Sequence, residues 1–102
     1  MIHVIATIEL TPGSQAAFLK EFHALVPLVH AEEGCLTYGP TVDVACDALP
    51  IDAPRADVVT VVESWESVEA LQAHLAAPHM LEYREKVKDY VRGTKIQVLE
   101  PA

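Results

Sequence analysis

The run DVVTVVES, residues 57–64, constrains this chain more than any other segment. Val58, Val59, Val61 and Val62 make both faces of a strand apolar, interrupted only by Thr60 and Glu63. A strand apolar on both sides is central in its sheet, with something covering each face. It runs into Trp65, the only tryptophan, and Ser67 then stands where a helix cap belongs. Val68, Leu71 and Leu75 form the core stripe of that helix. Pro78 suits the first turn of a further helical segment, in which Met80, Tyr83 and Val87 continue the burial. The stretch from Val58 to Tyr90 gathers the tryptophan, two of the five histidines and two of the three tyrosines. A site is expected there.

Upstream, Ile2, Val4, Ala6 and Ile8 alternate with His3, Ile5, Thr7 and Glu9, the pattern of a half-buried strand. Thr11-Pro12-Gly13-Ser14 is turn chemistry, with Gly13 or Ser14 placed to cap a helix. Phe18, Phe22, Leu25 and Val29, widened by Leu19 and Val26, then predict an amphipathic helix over 14–33, kinked at Pro27 and ended by Gly34. Cys35 to Val44 is rich in β-branched and aromatic residues, and Pro40 within it argues for an edge strand or a bulge. Residues 45–56 lack periodicity and form a loop long enough to invite a function. Gly93 is expected to end the last helix and Thr94 to Leu99 to form the last strand.

Strand, helix, strand, strand, helix, strand is the split βαβ order of an α+β, ferredoxin-like fold: an antiparallel four-stranded sheet with its helices on one face. A single domain, 1–102, accounts for the length. Helices on one face leave the other open, and Ile5, Val59 or Val61 and Leu99 are expected to make it apolar. The same face of a second copy, related by a two-fold axis, is the economical cover, so a homodimer is expected.

With 15 acidic against 7 basic residues, the formal charge of −8 and the lack of any basic run make nucleic acid and anionic membranes poor partners. No segment approaches the roughly 18 apolar residues of a membrane span, and MIHVIATIEL lacks the features of a secretory leader, so a cytoplasmic location is expected. Cys35 and Cys46, ten residues apart without a CxxC motif or a histidine at metal spacing, are read as two reduced thiols.

Among groups able to move protons, His74 flanks the apolar stripe of its helix, which puts an imidazole at the edge of the core. By spacing alone it serves equally as a hydrogen-bonded structural histidine. His79, just past Pro78, either donates to a ligand or satisfies the helix start. His23 and His30 share a face of the first helix but lack a carboxylate or cysteine at metal spacing, and read as solvated. His74 and His79 are separated by i, i+5 across a proline, unlike the i, i+4 pair of a HExxH zinc helix. GxGxxG, GxxxxGK[ST] and GxSxG are all absent, which leaves the common nucleotide and acyl-transfer templates without their glycines. Nothing fixes a histidine beside Cys35 as a nucleophile's base. Trp65, Tyr83 and Tyr90 suit either core packing or a flat aromatic ligand.

Thr11-Pro12-Gly13 with Phe18-Leu19, Glu33-Gly34-Cys35 with Tyr38, Glu63-Ser64-Trp65-Glu66-Ser67, Ala70-Leu71-Gln72-Ala73-His74-Leu75 and Pro78-His79-Met80 together resemble the antibiotic biosynthesis monooxygenase domain family, in particular its quinol monooxygenases. The resemblance spans essentially the whole chain. It implies a dimeric α/β barrel and an oxygenase that uses neither flavin nor metal, acting on a small aromatic, hydroquinone- or anthrone-like substrate with O2. Such a reaction needs a base, hydrogen-bond donors for the substrate anion and a dry aromatic pocket. On this resemblance His74 is the catalytic residue, handling the proton or the oxyanion. Trp65 walls the ring, Tyr83 gives a second hydrogen bond, and His79 and Glu63 support them.

Some relatives of this fold degrade haem with a first-strand asparagine, a tryptophan on the second helix and a histidine further along. Aligned through Trp65, this chain puts His74 at the tryptophan position and Arg84 near the histidine, which disfavours haem cleavage. The main rival is a non-catalytic dimer that binds a small aromatic or aldehyde-like metabolite, or a stress-associated scaffold. Isomerase or lyase chemistry on a phosphorylated metabolite is a third reading, weakened by the low basic content.

Overall fold

The alternation in the first strand sets the inner face of the sheet. In a computed structural model covering residues 1–102, strand β1 (Ile2–Leu10) buries Ile2, Val4, Ala6, Ile8 and Leu10 and turns the residues between them outward. Helix α1 (Gln15–His30) follows, then β2 (Cys35–Thr41), β3 (Val58–Trp65), α2 (Val68–Leu75), α3 (Pro78–Val87) and β4 (Val91–Leu99). The four strands form one antiparallel sheet in the order β2-β3-β1-β4, the ferredoxin-like arrangement. The second helical region is two helices, because Pro78 opens α3 at its first turn, where its missing N–H costs nothing. Ser67 caps α2 by accepting from the Ala70 amide at 3.1 Å.

Register decides what each face carries. Ile2, Val4, Ala6 and Ile8 lie opposite Trp65, Glu63, Val61 and Val59, and this row faces the helices. Phe18, Phe22, Leu25 and Val29 of α1 pack onto it with Leu71 of α2 and Met80 and Val87 of α3. Each such side chain contributes roughly 1.5–3 kcal/mol on leaving water. The expectation that Val59 or Val61 would make the second face apolar is therefore corrected: both point to the helix side and are almost fully buried. The open face carries Ile5 opposite Val62, Thr7 opposite Thr60, and Leu99 beside His3. Pro40 does sit on an edge strand, β2, and a register irregularity between Cys35 and Thr37 accompanies it.

Boundaries differ from the periodicity, and β2 stops at Thr41, short of the Val44 expected, as the chain leaves the edge of the sheet. Helix α1 stops at His30, short of Glu33, because a turn over 31–34 precedes Gly34, whose φ of 82° only glycine adopts without strain. Glu32 is thereby lifted off the helix. Gly93 does not end a helix; α3 stops at Val87, and Gly93 pairs with Glu9 inside β4, which starts at Val91. Ser14 occupies the N-cap of α1 without a side-chain cap bond, since its hydroxyl is engaged by Thr11 Oγ1.

The helices do not reach β4. Its inner-face residues Ile96 and Val98 stay about half exposed, and the gap between α2, α3 and this strand opens a cavity. No helix is long and apolar enough to cross a membrane.

Candidate active site

Trp65 closes β3 at the inner face and is wholly buried. Its indole N–H donates to Glu63 Oε1 at 2.9 Å, two residues back on the same face. The ring also lies against His74, with centroids 4.6 Å apart. Trp65 is absent from the cavity lining, so it reaches the cavity through the two groups it holds and not as a wall against a ligand.

His74 comes from the last turn of α2 and is buried between Trp65 and Tyr38, the latter edge-on at 5.3 Å. Its Nδ1 lies 2.9 Å from Glu32 Oε2. A carboxylate only accepts, so Nδ1 carries the proton and Nε2 of the neutral ring keeps its lone pair. No buried side-chain nitrogen or oxygen lacks a partner, and Nε2 has none in the protein. It therefore stands at the cavity surface. Burial pushes the His74 pKa down, and the hydrogen bond and charge of Glu32 push back.

The cavity has a volume of about 290 Å³. Ala6, Ile8, Phe22, Met80 and Ile96 give it apolar walls. Its polar groups are few: His74, Glu63, Tyr38, Tyr83 and Arg84, with Thr94 at the β4 side. Desolvation raises both Tyr38 and Tyr83 well beyond the ordinary phenol range, so both hydroxyls remain neutral donors. Glu63 is almost fully buried, and burial, opposed by the indole bond, pushes its carboxyl up to about 7. A group half-protonated at neutral pH can take or return a proton. Arg84 hydrogen-bonds the Leu75 carbonyl at 3.0 Å and brings a fixed positive charge to the mouth.

His79 lies elsewhere. It faces an outer groove between α1 and α3, formed with Glu21, Leu28, Glu82 and Lys86, and only Tyr83 lines both spaces. Its Nε2 is 2.7 Å from the same Glu32 Oε2 that holds His74. The donors thus stand at hydrogen-bonding distances around one oxygen, and no group of three His, Cys, Asp or Glu has the arrangement of a metal cage.

His74, Glu63 and Tyr83, grouped by the sequence reading, all line this cavity; the same reading misses Glu32, Tyr38 as a lining residue, and Arg84 as a cavity charge. The available signal for Glu32 was the Glu32-Glu33-Gly34 turn: a glycine requiring positive φ ends the helix early and turns a carboxylate inward. His30 is exposed, as read, and also bonds the Tyr38 carbonyl at 2.9 Å, steadying β2 beneath the ring. His23 is exposed.

This ferredoxin-like α+β domain sets an oriented imidazole, a buried carboxyl and two neutral phenols around an apolar cavity of a size that takes a small molecule. The chain belongs to the antibiotic biosynthesis monooxygenase family, which residues 1–86 match. It is 41% identical over 103 residues to the Escherichia coli K12 protein described as "Probable quinol monooxygenase YgiN", covering 99% of this chain and 98% of that one. Among solved structures it resembles PA3566 from Pseudomonas aeruginosa at 29% identity, with a TM-score of 0.80 and coverage of 99% and 93%. Rv0793 from Mycobacterium tuberculosis is similar at 25% identity, with a TM-score of 0.79 and coverage of 99% and 94%.

Proposed function

We propose that this protein is a cofactor-free monooxygenase that oxidises a one- or two-ring hydroquinone with O2. The observation that carries this reading is the convergence of His74, Tyr38 and Tyr83 on one apolar cavity, with the imidazole oriented from behind by Glu32. A cavity of about 290 Å³ is nearly twice the roughly 150 Å³ that takes up benzene, which supports a ligand of one or two fused rings over a three-ring anthrone.

His74 Nε2 accepts a proton from one substrate hydroxyl, and Glu32 stabilises the imidazolium that forms. Tyr83 and Tyr38 donate to the oxyanion left behind, in a site with little water. The electron-rich ring passes one electron to O2; the resulting radical pair joins carbon to oxygen. The ring peroxide then loses water. Hydroquinone plus O2 becomes hydroxyquinone plus water, so atoms and electrons balance without an outside reductant. Glu63, half-protonated near neutrality, supplies the proton that leaves with water.

We also infer a homodimer, supported by the half-exposed Val62 and Leu99 on the uncovered face of the sheet. Sedimentation of a monomer at micromolar concentration counts against it.

Oxygen uptake by flavin-free, metal-stripped protein with anaerobically prepared hydroquinones tests the main reading, with no-enzyme and His74→Ala controls. Uptake matched to hydroxyquinone and lost in a folded His74→Ala protein supports it. Tight ring binding with no uptake above autoxidation favours the non-catalytic carrier.

A further inference from the structure

Glu32 Oε2 is shared by two imidazoles that serve different spaces. His74 stands at the inner cavity, while His79 lines the outer groove between α1 and α3, and both ring nitrogens lie within 2.9 Å of the one oxygen. The His79 side chain is 24% exposed against 2% for His74, so one end of this chain of groups is wet and the other is not. We propose that Glu32 couples the two histidines as a proton exchanger: when His74 takes a proton from the cavity, an imidazolium at His79 releases one to the groove.

The physical reason is charge. One carboxylate compensates one imidazolium, and a second cation beside the same oxygen is repelled by the first. Proton uptake at His74 Nε2 therefore weakens the hold of His79 on its own proton, which leaves from Nδ1, the nitrogen Glu32 does not engage. No proton has to cross the carboxylate, and the cluster's net charge is unchanged by the exchange. The other groups facing His74 are Tyr38 from β2, Glu63 from β3, and Tyr83 and Arg84 from α3; those sharing the groove with His79 are Glu21 from α1 and Glu82 and Lys86 from α3, none of which touches His74. The phenols stay neutral, and Arg84 is a fixed cation. Only Glu32 touches both rings. The exchanger gives the proton removed from the substrate a route to water on the far side of Glu32 from the cavity.

The inference rests on the monooxygenase reading for its catalytic consequence, but the coupling is measurable in the resting protein. The ring nitrogen shifts of His74 are followed by NMR from about pH 5 to 9 in wild type, His79→Gln, Glu32→Gln and the double variant. His79→Gln is expected to raise the His74 midpoint by about one pH unit, a tenfold gain in proton affinity, and Glu32→Gln to lower it. In the Glu32→Gln background the effect of His79→Gln is expected to vanish. A His74 midpoint indifferent to His79→Gln overturns the proposal, as does an effect that survives undiminished without Glu32. In turnover, His79→Gln is expected to lower kcat about tenfold at unchanged KM, with recovery in imidazole buffer; unchanged kcat overturns the exchange role. A wild type that consumes no O2 while the His74 midpoint still answers to position 79 sustains the coupling and removes the monooxygenase reading instead.

Discussion

Replacing Glu63 by glutamine is expected to stabilise the protein near and above neutral pH and to do almost nothing below about pH 4. The carboxyl is almost fully buried on the inner face of β3, and its pKa is raised from 4.5 to about 7. Below the ordinary value both folded and unfolded chains hold the proton, and Glu63 contributes no pH dependence. As the pH rises from 4.5 through about 7, the unfolded chain ionises first and the folded state loses stability. Above the folded value that loss is complete, and a displacement of this size corresponds to about 3 kcal/mol. Glutamine keeps an oxygen for the Trp65 indole N–H, now 2.9 Å from Glu63 Oε1, and cannot ionise. Urea unfolding at fixed protein concentration should show a gain near zero at about pH 4, growing to about 3 kcal/mol by about pH 8.5, or roughly 1–3 M in the midpoint. His74, whose pKa is lowered, destabilises the fold on acidification below 6.5, but Glu63 is not among the groups that shift it, so its contribution cancels in the comparison. A gain of equal size at both pH values, or a loss at the higher one, refutes a carboxyl raised by burial.

Trp65→Phe removes the one hydrogen bond that lowers the Glu63 pKa, so the decline in stability, still beginning near 4.5, should run on to higher pH in the same titration. Gly34→Ala should cost about 2–3 kcal/mol, because a Cβ there meets Ala70 Cβ at 2.6 Å on a backbone with φ of +82°, whereas Gly13→Ala, with φ of +79° and nothing within 4 Å, should cost about 1 kcal/mol. Denaturant midpoints of the two variants measured side by side check the difference. Gly34→Ala should also impair turnover beyond its stability loss, since the turn it ends carries Glu32. Ser67→Ala should cost about 1 kcal/mol by thermal unfolding, with the α2 amide of Ala70 left to water.

Much of the architecture was legible because it rests on periodicity. The alternation of β1, the valine run of β3, the Ser67 cap and Pro78 each act over a few residues, and together they order the elements and point to His74 at the rim of the core. The faces were less legible. Val59 and Val61 are buried under the helices while Val62 is turned away, and a strand apolar on both sides does not announce which side the helices take; only the register against β1 does.

The site divides in the same way. The family resemblance grouped Glu63, Trp65, His74 and Tyr83, and the first three lie on the one segment that runs from β3 through α2. Glu32 is 42 residues from His74 and 47 from His79, on a turn that periodicity assigns to the helix. A bond across such a span depends on where the turn at Gly34 aims a side chain and on how α2 and α3 dock. Those are matters of packing between elements, which local sequence preference does not encode. Sequence alone therefore determined which chemistry this chain could hold, and tertiary structure decided that one carboxylate would join a buried imidazole to an exposed one.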